Sequence, residues 1–165
     1  MKSMFRILLF SVLLIFTGCA TLPSPSEIKS DINGFELPKL PEKGKAMVYV
    51  VRPSNLGFII RFNVFIDKEE SASEIGYTRG GQYIYFDLAP GEHQILSKAE
   101  NLAVFEVNAK EGDIIFVQQE PQMGLIMAGN SLFKIQDYEG KYHVKHLEMG
   151  TIYKSEQKPI VKSEQ

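Results

Sequence analysis

The chain has 165 residues, with 18 Lys and Arg against 20 Asp and Glu, a formal net charge of −2, and 44% hydrophobic residues. That length holds one ordinary domain, and the slightly acidic balance carries no electrostatic footprint for nucleic acid. A single cysteine excludes a disulfide framework, so stability must come from an apolar core to which eleven Phe and seven Tyr contribute.

Lys2 and Arg6 precede an apolar run from Ile7 to Phe16, which Thr17-Gly18-Cys19 follows. A basic start, a short apolar stretch and a small residue before the cut describe a secretory signal over residues 1–18. The run is about half of the roughly 20 residues that a spanning helix needs. Thr17-Gly18-Cys19 resembles the lipobox of bacterial lipoproteins, in which the thiol takes a diacylglyceryl group and becomes the first residue. Ala20, rather than Asp, follows the cysteine, which resembles lipoproteins sorted to the outer membrane. The expectation is an envelope protein held to the membrane at Cys19.

Residues 19–45 read as a flexible tether, because Pro23, Pro25, Pro38 and Pro41 lie among Ser24, Ser26 and Ser30. Phe35 and Leu37 are its apolar exceptions, able to dock back on the domain. From Ala46 short apolar runs alternate with turn residues. Ala46–Arg52 is β-branched and ends at Pro53. Phe62–Asp67 alternates, with Phe62, Val64 and Ile66 on one face. Ile75–Thr78 and Gln82–Leu88 flank Arg79-Gly80-Gly81, which predicts a hairpin. Ala89-Pro90-Gly91-Glu92 predicts a turn. His93–Lys98, Leu102–Val107, Asp113–Glu120 and Leu132–Gln136 complete about eight strands. Tyr138–Met149 loses the period of two and predicts a short helix, weakened by Gly140. Residues 150–165 read as a polar tail.

This pattern predicts an all-β antiparallel sandwich over residues 46–149, of immunoglobulin-like or prealbumin-like type, with a short C-terminal helix. Some strands are apolar on both faces. Tyr83 and Tyr85 oppose Ile84, Phe86 and Leu88, and Phe65 opposes the main face of its strand. Either these aromatics are covered core, or they form an exposed face for a partner or a glycan.

No catalytic motif emerges. Arg79-Gly80-Gly81 lacks the spacing and the lysine of a phosphate loop, and Gly129-Asn130-Ser131 lacks the second glycine of a nucleophile elbow. Cys19 is assigned to the anchor, and Glu69-Glu70 reads as a solvated turn. On a helix, His143 and His146 would share a side with Glu139 or Glu148 in reach, so they are the metal candidates; the surface reading is simpler, since the spacing is not His-Glu-x-x-His. No cofactor is predicted. Arg52 and Asp67 end neighbouring strands and predict a structural ion pair at one edge of the sheet.

Tyr49-Val50-Val51-Arg52-Pro53, Asp67, Gly81, Tyr83, Asp87-Leu88-Ala89-Pro90-Gly91-Glu92-His93, Gly112, Met123-Gly124 and Glu139-Gly140 together carry a resemblance. From Lys45 to about Met149 the chain resembles a family of bacterial lipoproteins known only as domain of unknown function 2846. Leu88–His93 also looks like the turn of PEGA-type and transthyretin-like modules, where it joins two antiparallel strands. The resemblance implies a lipid-anchored, mostly β envelope domain and implies no activity. The expected function is a non-enzymatic module that binds another envelope protein. The alternative is a glycan or peptidoglycan-binding module that uses Tyr83, Tyr85 and Phe65.

Overall fold

Every residue of strand β1 (Ala46–Arg52, AMVYVVR) is buried. Alternation sends Ala46, Val48 and Val50 to one side and Met47, Tyr49 and Val51 to the other, and each side joins its own apolar cluster. A strand buried on both faces must lie centrally in its sheet and be covered above and below. The computed structural model, which describes residues 22–123 and 128–153, shows how that cover is assembled.

In chain order, helix α1 (Pro25–Asp31) precedes β1. Then come β2 (Phe62–Ile66), a 3₁₀ turn (Ser71–Ser73), β3 (Glu74–Thr78), β4 (Gln82–Leu88), β5 (Gly91–Lys98), β6 (Leu102–Ala109), β7 (Ile114–Met123) and β8 (Ala128–Lys134). Helix α2 (Asp137–His146) is followed by the short strands β9 (Glu148–Met149) and β10 (Thr151–Ile152). The first sheet has the order β8-β7-β1-β4-β9 and the second β10-β3-β2-β5-β6. The predicted all-β sandwich is therefore present. Most pairs are antiparallel, but β1 runs parallel to β7, and β4 to β9.

Between the sheets, Val48, Val50, Ile84, Phe86, Leu88, Ile115 and Val117 from the first meet Val64 and Ile95 from the second. A polar ladder crosses this core. Gln119, fully buried, accepts from the Thr78 hydroxyl and donates through Nε2 to Ser97 Oγ at 2.6 Å. Asn130 Nδ2 donates to the Ser97 carbonyl at 3.2 Å. These bonds join β3 and β5 to β7 and β8, so sliding one sheet over the other would strand buried polar groups.

The outer face of the first sheet is covered by segments from both ends of the described chain. The stretch assigned by its prolines to a flexible tether instead forms α1 and a strap. Pro25 occupies the first turn, where its missing N–H costs nothing, and Ser24 and Glu27 form a reciprocal capping box. Ile28 is buried, and Phe35 and Leu37 do dock on the domain, against the Met47–Tyr49–Val51 cluster. Tyr49 latches the strap: its hydroxyl donates to the Lys39 carbonyl at 2.5 Å and accepts from the Lys39 N–H at 3.0 Å. Burial pushes the Tyr49 phenol up to about 12, so it stays a donor across neutral pH.

Helix α2 begins one residue before the predicted 138–149 stretch and ends at His146, and Glu148–Met149 is strand β9 instead. Gly140 is what allows the helix its close approach, because a Cβ there would run into the Phe116 ring of β7. Helices α1 and α2 are joined by Asp31, whose carboxylate meets Lys145 Nζ at 3.2 Å and His146 Nε2 at 2.7 Å. Residues 151–153, which polarity assigns to the tail, lie against the second sheet instead. Thr151 and Ile152 pair with Tyr77 and Gly76, and Tyr153 stacks edge-on against Tyr77.

Two turn expectations are corrected. Arg79-Gly80-Gly81 does not close a hairpin, since β3 and β4 lie in different sheets and the segment crosses between them. Gly81 takes φ 75° there, a conformation that suits glycine. Ala89-Pro90 likewise carries the chain from β4 in the first sheet to β5 in the second, rather than joining paired strands.

Candidate functional site

The two ends of the sandwich hold its two unusual surfaces. β1 and β4 pair with Arg52 beside Gln82 at one end and Ala46 beside Leu88 at the other. Asp67 follows β2 at the Ala46–Leu88 end, and residues 53–61 follow β1 at the opposite one.

At the Asp67 end lies an open cleft of about 510 Å³, lined by Asp67, Glu92, His93, Gln94, Glu106 and Asn108. Asp67 turns the chain out of β2 with φ 63°, a left-handed conformation that aspartate tolerates better than most residues. Its N–H donates to the Gln94 carbonyl at 2.8 Å, and its Oδ1 accepts from the Gln94 N–H at 2.9 Å. His93 Nδ1 stands 3.0 Å from Asp67 Oδ2, and His93 Nε2 3.1 Å from the Ala89 carbonyl. Partial desolvation opposes ionisation of Asp67. The Gln94 N–H and His93 outweigh it and hold the carboxyl below the ordinary aspartate range. Both ring nitrogens of His93 thus face oxygen atoms of the protein.

At the other end, Arg52 is completely buried. Its Nη1 donates to the Ile60 carbonyl at 2.8 Å, and its Nη2 to the carbonyls of Leu56 at 2.9 Å and Gly57 at 3.0 Å. The guanidinium lies over the Phe62 ring, 3.7 Å from its centroid. Burial pulls its pKa down to about 10 with Glu120 opposing, so it remains charged at neutral pH. The loop it holds carries Leu56, Phe58 and Ile59, which are 50%, 61% and 69% exposed. Burying such a side chain is worth about 1.5–3 kcal/mol, so a clamped loop that leaves three of them in water is not explained by folding.

The expected Arg52–Asp67 ion pair is absent, because the two residues sit at opposite ends and each has other partners. Of the proposed aromatic face, Tyr83 and Phe65 are buried and Tyr85 is half-buried. Tyr83 and Tyr85 pack round Tyr49, with ring centroids 6.3 and 5.5 Å away, in the cluster that Phe35 and Leu37 cover. Tyr83 is core, and Tyr85 is half-buried against it. His143 and His146 do not converge on a shared site. His143 is buried, which lowers its pKa despite Glu139, whereas His146 meets Asp31. Among the described residues, no group of three or more His, Cys, Asp or Glu is arranged to hold a metal. Glu69 pairs with Lys98 at 3.1 Å, and Cys19 lies outside the described residues.

The family model for a protein of unknown function, DUF2846, matches residues 42–132. The chain belongs to this family. The matched DUF2846 segment contains β1 to β7 and most of β8, and with them both the cleft and the clamped loop. An uncharacterised protein of Haemophilus influenzae (strain ATCC 51907 / DSM 11121 / KW20 / Rd) is 27% identical over 148 residues, covering 87% of this chain and 83% of that protein. Within the DUF2846 segment, the residues that carried the resemblance are largely spent on architecture. Arg52 clamps a loop, Asp67 and His93 fasten each other, and Gly81 and Gly112 take positive φ. Sequence reasoning missed the first two roles. The signal available was that Arg52, Asp67 and His93 all belong to the resembling motifs while forming no catalytic spacing.

Proposed function

We propose that this chain is a cell-envelope lipoprotein, attached at Cys19 and sorted to the outer membrane, whose β-sandwich binds another envelope protein without turning over a substrate. The observation that carries the non-catalytic part is the placement of His93: the one histidine lining the polar cleft has its two nitrogens turned to Asp67 and to the Ala89 carbonyl. What the cleft offers instead is a rim of carboxylates and amides from Glu92, Glu106 and Asn108, suited to a basic or amide-bearing surface. Attachment is supported by the run Ile7–Phe16 before Thr17-Gly18-Cys19.

The test compares three tagged chains in the native host: the parent, Cys19→Ser, and Glu92→Lys with Glu106→Lys. Each is labelled with a fatty-acid analogue and purified from gently solubilised envelopes. The expected result is a labelled parent with a reproducible partner, an unlabelled Cys19→Ser chain, and a charge-reversed chain that keeps its label and loses the partner. An unlabelled parent would end the lipoprotein reading. A partner retained by the charge-reversed chain would remove the cleft from the binding surface.

A further inference from the structure

We infer that the clamped loop at residues 53–61 dips into the surface of a phospholipid bilayer, with its apolar tip among the upper acyl chains and arginines at headgroup level. The inference rests on the membrane attachment proposed above and adds to it a second, non-covalent contact.

Three features of the loop converge on lipid. Its tip, Leu56-Gly57-Phe58-Ile59-Ile60, is an unbroken apolar run whose large side chains at 56, 58 and 59 face outward. Four of the tip's five carbonyls are satisfied from within: those of Leu56, Gly57 and Ile60 by Arg52, and that of Phe58 by the Gly80 N–H at 3.3 Å. A loop leaves water more cheaply when its backbone polar groups keep partners, and a buried arginine supplies them to three carbonyls here. The base of the loop is cationic. Arg61 and Arg79 stand against the same Tyr77 ring, 4.5 and 5.3 Å from its centroid, while residues 53–61 contain no acid. An apolar tip above a basic collar is the arrangement that seats a surface segment in an anionic interface.

The neighbourhood agrees. β1 and β7 run parallel with Val51 beside Gln118, so the loop after β1 and the far end of β7 leave the sheet in the same direction. Met123, at that end of β7, is 90% exposed. A protein partner would also accept an apolar tip. The paired arginines beneath the tip, with no acid in residues 53–61, favour an anionic lipid surface.

The chain contains no tryptophan, so one placed in the loop reports on that position alone. Phe58→Trp is made in the full chain, with Val104→Trp as a control at an exposed apolar position on β6 of the second sheet. Both are mixed with vesicles of phosphatidylethanolamine and phosphatidylglycerol, with and without brominated acyl chains. The expected result is a blue shift and bromine quenching for the tryptophan at position 58 and neither for that at 104, with the shift reduced by Arg61→Glu. An unshifted tryptophan at 58 overturns the inference, as does an equal shift at both positions, which would mean general adsorption. A shift in solubilised envelopes but not on lipid assigns the loop to a protein partner and also overturns it. The anchor is scored separately by fatty-acid labelling of the parent and of Cys19→Ser. A parent that is anchored while position 58 stays in water refutes the loop alone. A shift at 58 in a parent that takes no fatty-acid label refutes the anchor alone.

Discussion

At one end of the sandwich a buried cation holds a loop by donating to its carbonyls. At the other a half-exposed anion holds a turn by accepting from a backbone N–H and a histidine. Arg52 is fully enclosed, whereas the Asp67 side chain is 48% exposed. Charge-assisted hydrogen bonds gain strength as water is excluded, and their loss leaves enclosed partners unpaired. The same device is therefore structural at the apolar end and only a local fastening at the polar one. That difference matches the surfaces each end presents, a clamped apolar tip and an open cleft with a polar lining.

The comparison breaks most sharply at Arg52. Arg52→Met removes the donor to three carbonyls, and a loss of about 3–5 kcal/mol is expected, read from the urea midpoint. Protease nicking between residues 55 and 60 should rise well beyond the global loss, because the loop is released first. If stability falls by less than 1 kcal/mol, on the order of an ordinary surface change, the clamp is not what holds this end.

Gly140→Ala separates global from local effects, since it lies on the covered outer face and touches neither end. Driving a methyl into the Phe116 ring should lower stability by about 2–3 kcal/mol without selective nicking of the loop. Phe116→Leu in the same chain should recover part of that loss, and simple additivity of the two substitutions would contradict direct contact.

Asp67→Asn tests the polar end. Asparagine accepts the same left-handed backbone, so the change removes chiefly the charge. About 0.5–1 kcal/mol is expected, because exposure discounts the interaction. The smallest effect is its pH dependence. Asp67 has a lowered pKa in the folded chain, so its contribution is complete above the unfolded aspartate value and is lost as pH falls through the folded one. The parent and the Asp67→Asn chain should therefore differ at neutral pH and converge below about pH 4. A gap in midpoint that stays constant down to acid would show that the carboxylate charge contributes nothing.

Strands were the most legible feature. Ala46–Arg52 and Gln82–Leu88 form over the residues that their apolar patterns indicate, because alternation and β-branching are local properties. Their partners were not legible. Arg79-Gly80-Gly81 has the composition of a hairpin and serves as a crossing, since glycine permits a sharp bend but does not name the sheet that receives the next strand. The proline-rich stretch misled for a related reason. Its composition disfavours packing on average, yet a capping box, a proline at the helix start and three apolar residues, Ile28, Phe35 and Leu37, suffice when an apolar sheet face is waiting.

The candidate surfaces were the least legible. Tyr83, Tyr85 and Phe65 look like a binding face in sequence, because alternation shows that they oppose the core without showing that α2 and the strap cover Tyr83 and Tyr85. Leu56, Phe58 and Ile59 look like ordinary loop residues until the clamp beneath them is seen. Local pattern and composition set the strands, the single all-β domain and the C-terminal helix, because φ/ψ preference and periodicity act over a few residues. Which sheet each strand joined, which aromatics were buried, and what Arg52, Asp67 and His93 were for depended on contacts between distant residues. Such contacts are fixed only when the whole core is packed at once.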